Sequence, residues 1–501
     1  LAASAGLGLR PDVVLAQATG ESAPQEAPLA SVAAAEAGVA QHRDAILRIS
    51  REVWELAELS LVEANSFKVH LRELEAAGFR TVSTGTSGYP TAFISEWTQG
   101  AGGPVVAYLP EYDALPDLGN ATEPRKSPAA SGEVNGHGCG HNMLGAGCTG
   151  GAIALKSMME QDGTACTVRV YGCAAEETQG AKVYFVRDNL FDDVDLALAW
   201  HPAPFAAVGE LMTSANVAIK VRFAGRTAHA GNSPWDGRSA LKGAELFGIG
   251  LQFMREHLLP TTRIHYIYEQ AGVAPNIVPD SAQIWLTLRA ENVDELARVI
   301  AWAKGVSEGA GLMTQTEAEF ELFHGMHDIL PNGPAIDLVH RHMTARPPQW
   351  TEDEQTFARA CQSEMGLPES GLTTEVLPKI GPMKVGGSSD LGDVSKVTPL
   401  AVFGWPTVGL GTSLHTWAIT ACAGMSIGDR ASLDTARILA GVGYDAVTDP
   451  DFLAAAKADF ETRMAGKTYV SLLPDHQLEP IGVPDWLRKT GQDEVVSFDP
   501  E

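Results

Sequence analysis

Apolar positions change their spacing along this chain, and each change marks a different kind of element. From Ser31 to Leu59 the residues Val39, Ile46, Ile49, Val53, Trp54 and Leu56 recur as on one face of an amphipathic helix. A second helix is predicted from Ser66 to Ala77, with Gly78 as its stop. The spacing then shortens. Pro104 to Leu109, Thr167 to Cys173 and Leu196 to Trp200 read as short buried strands. Between them, Met143 to Met159 and Ala181 to Leu190 have helical spacing. Alternation of strand and helix predicts an α/β fold built on a largely parallel sheet.

Near Ser214 the pattern changes again. A strand (Asn216 to Phe223), a helix (Arg238 to Arg255), two strands (Arg263 to Tyr268, Ala282 to Arg289), a helix (Val293 to Lys304) and a strand (Thr314 to Phe323) follow one another. That order is the signature of a ferredoxin-like α+β sandwich with an antiparallel sheet. The chain therefore divides into a flexible lead-in (1–30), a first part of the α/β domain (31–213), an inserted α+β domain (214–328) and a returning part with a C-terminal extension (329–501).

Composition narrows the partners. With 501 residues and 45% hydrophobic content the chain can bury a large core. A formal net charge of -26 makes nucleic acid and anionic membrane poor partners. No run approaches the roughly 20 apolar residues of a membrane span. The six cysteines, Cys139, Cys148, Cys166, Cys173, Cys361 and Cys422, show no paired spacing, so a disulfide framework is not expected. Ala16-Gln17-Ala18 has the A-x-A form that ends an export signal, although Arg10 and Asp12 interrupt the apolar stretch before it. Export and a cytoplasmic location both stay open.

The candidate chemistry gathers around Asn135-Gly136-His137-Gly138-Cys139-Gly140-His141-Asn142. Cys139 and His141 are two residues apart, where an extended chain points both side chains the same way. The predicted strands deliver Asp113, Glu176-Glu177 and His201 at their carboxyl ends, where open α/β sheets place their chemistry. Cys139, His141, Glu177, His201 and His415 are ligand types for zinc, manganese or similar ions. Five ligands exceed one tetrahedral site and can hold two ions, with the thiolate placed to bridge them. Of the glutamate pair, Glu177 is assigned to the metal and Glu176 to acid–base work. Two rivals remain: a hydrolase with Cys139 as nucleophile and His141 or His201 as base, and a non-catalytic binding or scaffold protein that keeps the fold.

Cys-Gly-His-Asn, Ala-Glu-Glu, Trp-His-Pro, Gly225-Arg226-Thr227-Ala228-His229-Ala230, Gly272 to Pro279 and His-Thr-Trp occur together. The set resembles the aminoacylase/carboxypeptidase family of metal-dependent amidohydrolases, over about residues 35 to 450. The resemblance implies a di-metal centre on Cys139, His141, Glu177, His201 and His415, with Glu176 as general base. It also implies that Asp113 orients a metal ligand, that His229 stabilises the oxyanion across a dimer, and that Asn276 helps hold the substrate. The inserted domain becomes a lid and dimerisation domain, so a homodimer acting on a small N-acyl amino acid is expected. One departure stands out. Many relatives carry a His two residues before the strand-end Asp, and here that position is Glu111, so Cys139 and the other four ligands must suffice.

Overall fold

The computed structural model describes residues 29–484. Ala16-Gln17-Ala18 and the final residues, Trp486 among them, lie outside the described residues. The described chain forms two compact units, one from 29–212, 329–469 and 478–484, the other from 213–328 and 470–477.

In the first unit, strands β1 (Arg80–Thr84), β2 (Phe93–Gln99), β3 (Val105–Tyr108), β4 (Cys166–Gly172), β5 (Leu196–Ala203) and β12 (Leu400–Pro406) form one sheet. Its order is β1-β2-β4-β3-β5-β12. The last four run parallel, and β1 and β2 add an antiparallel edge. Strands β6 (Gly209–Met212) and β11 (Ile380–Lys384) pair in parallel as a separate ribbon. Every residue of β5 is buried, as expected where helices cover both faces. Because β3 lies between β4 and β5, the residues that follow these three strands emerge side by side.

The amphipathic stretch predicted from Ser31 to Leu59 is two helices, α1 (Ala30–Gln41) and α2 (Arg43–Leu56). They part at His42, whose φ of -107° is not helical and whose ring bonds Ser157 at 2.8 Å. Helix α3 spans Ser66–Ala76. The helix after the glycine-rich turn, α4 (His141–Asp162), is buried along its first four turns. Its small residues let neighbours close in: a Cβ on Gly150 would meet Ile46 of α2 at 2.6 Å, and one on Gly151 would meet Leu439 at 2.9 Å. Gly145 faces the end of β3, where an added Cβ would lie 2.4 Å from the Glu111 carbonyl oxygen. Gly145→Ala is therefore expected to lose about 1–3 kcal/mol by overpacking and to displace Glu111. Denaturant titration with metal-binding measurements on the variant checks both.

The second unit has strands β7 (Ala215–Ala224), β8 (Arg263–Gln270), β9 (Ser281–Ala290) and β10 (Glu317–Met326), all antiparallel in the order β10-β7-β9-β8. Helices Ala240–Arg255 and Val293–Thr314 cover one face, closing a core of Val217, Ile219, Val221, Ile284, Leu286, Phe247, Leu296 and Val299. The second helix runs ten residues beyond the predicted Lys304. Asn292 caps its start by accepting from the Glu295 N–H, and the apolar spacing of Leu296, Val299, Ala303 and Ala310 carries it past its glycines. The segment 470–477 joins this unit rather than the first. Leu472 packs against its core, and the Val470 carbonyl lies 2.9 Å from His327 Nε2.

Candidate metal centre

Cys139 and His141 converge by a turn rather than by strand alternation. Gly140 takes φ 80° at the start of α4, a backbone conformation that glycine adopts without strain, so His141 opens the helix while Cys139 precedes it. The His415 N–H donates to the Gly138 carbonyl at 2.8 Å and ties the loop after β12 to the same turn. His415 itself has φ 60°, an uncommon conformation for a non-glycine residue and a form of strain that gathers at functional sites. On the opposite side Ala175 has φ 55°, and its N–H donates to buried Glu63 at 2.7 Å. This bend aims Glu176 and Glu177 back over the strand ends.

Three groups of donors result, each with its ligand atoms within 4.8 Å of one another: Cys139, His141 and His201; Cys139, Glu177 and His415; Glu111, His141 and Glu176. Cys139 Sγ lies 3.5 Å from His201 Nε2, and His415 Nε2 lies 3.2 Å from Glu177 Oε1. All five sequence-predicted ligands and Glu176 thus meet in one cluster. Its members are buried apart from His415, which is partly exposed.

The surroundings orient these donors. His141 Nδ1 bonds Asp113 Oδ1 at 2.8 Å, which turns Nε2 into the cluster. The other Asp113 oxygen accepts from Ser60 Oγ at 2.7 Å and from the Glu177 N–H at 2.9 Å. His201 Nδ1 donates to the Pro202 carbonyl at 2.8 Å and leaves its Nε2 toward Cys139.

Electrostatics follow from burial and crowding. Burial alone would raise the Cys139 thiol, but the imidazoles of His141 and His201 hold it well below its usual value. Burial, then the carboxylates of Glu111 and Glu177, push Glu176 well above the usual carboxylate range. Glu177 is pushed up to about 7 by burial and Cys139. Burial would lower His415, yet its contacts with Cys139 and Glu177 raise it to about 10.

Divalent cations fit this donor set. Glu111 Oε2, His141 Nε2 and Glu176 Oε2 are buried without a hydrogen-bond partner among the described residues, and they face one another. Buried polar atoms are normally paired, so a cluster of orphaned acceptors and imidazole nitrogens suits a cation.

The model of peptidase family M20/M25/M40 matches residues 111–416. The chain is 33% identical over 441 residues to one of the p-aminobenzoyl-glutamate hydrolase subunits of Escherichia coli (strain K12), covering 82% of this chain and 91% of that protein. The chain belongs to this family. Xaa-Arg dipeptidase of Mus musculus is 28% identical over 426 residues, covering 83% of this chain and 89% of that protein. A dinuclear metal-binding M20 peptidase from Bacillus subtilis has the same fold, with a TM-score of 0.56 and 18% identity over 82% of this chain and 99% of that one. This M20-family protein is thus a metal-dependent amidohydrolase.

His229 and Asn276 lie in the second unit, on neighbouring loops. His229 bridges Ile277, and the Ala230 N–H donates to the Asn276 carbonyl at 3.0 Å. Both side chains are exposed. The N–H groups of Gly231 and Asn232 donate to His229 Nδ1 at 3.2 and 3.1 Å, so the proton of the neutral ring sits on Nε2, which becomes a donor.

Sequence reasoning assigned no role to Glu111, Glu63, Lys182 and Asp390. Glu111 was visible as the residue two before Asp113. Lys182 was visible as a lone cation in the apolar run Ala181-Lys182-Val183-Tyr184-Phe185-Val186. Neither signal names a partner.

Proposed function

We propose that the protein hydrolyses the amide bond between an aromatic acyl group and an amino acid with a free carboxylate, using two ions held by Cys139, His141, Glu177, His201 and His415. The observation that carries this reading is that Cys139 belongs to two donor groups at once, one with His141 and His201, the other with Glu177 and His415. A sulfur so placed is positioned to bridge two ions. Thiolate and imidazole favour zinc, with manganese as the competing ion. The substrate class follows the name of the bacterial relative, a p-aminobenzoyl-glutamate hydrolase.

When bound, the ions supply Lewis acidity, polarising the scissile carbonyl and lowering the pKa of the attacking water. Glu176 takes the proton of that water on Oε2 and hands it to the leaving amine. Asp113 keeps His141 in the tautomer that presents Nε2 as a ligand. His229 donates from Nε2 to the developing oxyanion, and Asn276 holds the substrate beside it. His229→Ala is expected to lower kcat about 10²–10³-fold, the cost of an oxyanion donor, with KM little changed. Steady-state kinetics check the split.

Residues 214–328 also suit a second copy of the chain. Strand β8 is an edge of its sheet, with Ile267 and Tyr268 exposed, and Ile249 and Phe253 of the helix Ala240–Arg255 are exposed as well. Exposed apolar residues along an open edge favour pairing with another chain. A homodimer with His229 reaching the partner's centre is the assembly we assign. A monomer by sedimentation at working concentration would sink it.

Metal uptake should depend on pH with a definite sign. Burial would lower His141, His201 and His415, yet their contacts with Cys139 raise all three, His415 to about 10, so the metal-free cluster favours their protonated forms more than water does. A ligand must shed its proton to bind, so affinity rises with pH and binding releases protons. Calorimetry in buffers of different ionisation enthalpy measures that release. The function itself is tested on p-aminobenzoyl-glutamate, hippurate-type amides and N-acyl aromatic amino acids. A fully metallated protein inert on the whole panel ends the proposal.

A further inference from the structure

Beside the five ligands lies a buried charge network that none of the roles above uses. Lys182, at the start of a short helix (Ala181–Arg187), has no exposed surface. Its Nζ lies 2.7 Å from Glu111 Oε1 and 2.6 Å from Asp390 Oδ1, and its backbone N–H donates to Asp390 Oδ2 at 3.2 Å. Glu111 is 2% exposed and Asp390 is fully buried. Charges taken this far from water are retained only with close partners, and apolar residues of similar volume often serve stability as well. The network therefore calls for a purpose beyond packing.

Its geometry is one-sided. Both Asp390 oxygens and one Glu111 oxygen face Lys182. The remaining oxygen, Glu111 Oε2, has no hydrogen-bond partner among the described residues and lies 3.3 Å from His141 Nε2, which has none either. Two carboxylates and one ammonium leave a single negative charge, and this oxygen is the carboxylate acceptor of the three residues that the clamp leaves over. A buried, unpaired carboxylate oxygen beside an imidazole nitrogen is half of a metal site.

We propose that Glu111 is a further ligand of the ion held by His141 and His201, and that Lys182 and Asp390 are positioning residues that clamp its other oxygen so that Oε2 faces the ion. The inference rests on the metal reading of the Cys139 cluster and adds a ligand to it. The clamp fixes the carboxylate as one-oxygen donor, because Oε1 is taken by Lys182. It also keeps the site from carrying the full repulsion of Glu111, Glu176 and Asp390 before a cation arrives. A bound carboxylate aimed in this way depends on its outer partners nearly as much as on itself, and losing such a partner weakens metal affinity about 10–100-fold.

The test uses the full chain, stripped with a chelator and titrated with cobalt(II) and zinc(II), with bound metal counted by elemental analysis. The wild type is expected to take two equivalents, with cobalt showing a thiolate charge-transfer band from Cys139. Glu111→Gln keeps one equivalent and the thiolate band, while the second equivalent weakens at least tenfold and the cobalt d–d spectrum changes. Lys182→Met gives the smaller loss of about 10–100-fold in the same equivalent, an effect that a merely structural ion pair would not confine to one ion. Two unchanged isotherms in Glu111→Gln would overturn the assignment. A wild type that takes no ion overturns the metal reading itself, a separate outcome. Should the variants not fold, anomalous scattering from zinc in wild-type crystals decides the matter: Glu111 Oε2 stands about 2.0–2.2 Å from an ion or the proposal fails.

Discussion

Glu176→Gln is expected to lose about 10²–10⁴ of kcat, the contribution of a positioned general base, while still taking up two equivalents of metal. Gln keeps the volume of Glu and its acceptor oxygen, so the surrounding packing has no reason to move. What it lacks is the capacity to accept and return a proton. Glu176 is buried, 4.0 Å from His141 Nε2, and its Oε2 has no hydrogen-bond partner among the described residues. Burial and the carboxylates of Glu111 and Glu177 raise its proton affinity well above that of an ordinary glutamate. Bound cations work against that rise, so the group is poised between two strong opposing fields, which suits a residue that must both take and give a proton. The measurement is kcat together with metal content on the same preparation. Turnover within a few-fold of wild type would remove Glu176 from the role. Loss of metal together with activity would make it a ligand instead.

Removal of metal is expected to have the larger effect. A strong chelator should abolish activity, and zinc or manganese should restore it. Metal should also stabilise the fold, because cations bind the folded cluster and not the dispersed residues of the unfolded chain. A site saturated at a thousand times its dissociation constant contributes about 4 kcal/mol, so thermal unfolding with and without added metal gives a second readout independent of turnover. The thiol-nucleophile rival predicts the reverse pattern: indifference to chelation and a covalent adduct on Cys139. The structure gives that rival a lowered Cys139 thiol beside His201, so chelation separates the two where geometry alone does not. The scaffold rival predicts metal-dependent stability with no turnover on any amide.

Much of this molecule could be read from its residues in order. Period and length of the apolar runs place β3, β4, β5 and the four strands of the second sheet within a few residues, because a buried strand and an amphipathic helix differ in spacing regardless of their partners. Strands β1, β2 and β12 were not read from the sequence. Glu176, Glu177 and His201 could be named because strand ends in an α/β sheet are where side chains of that kind collect, and Cys139 and His141 because they stand two residues apart in a glycine-rich turn. Local detail was less legible. The break at His42 and the continuation of the second long helix of the antiparallel unit to Thr314 both depend on what packs beside them.

What the sequence by itself determined is the inventory: an α/β frame, an inserted antiparallel unit, and a set of thiolate, imidazole and carboxylate donors at strand ends and in one glycine-rich turn. Only the tertiary structure decided which of them lie together. Strand β3 lies between β4 and β5 although it precedes both in the chain, so Asp113 stands between Glu176-Glu177 and His201, and β12 beside β5 brings in the loop of His415. The same order carries Lys182 to Glu111, 71 positions away, and to Asp390, 208 positions away. Spacing along a chain records which side chains share a face of one element. Strand order and helix packing are long-range choices made by burial of the whole core, and they alone select the neighbours of a buried charge.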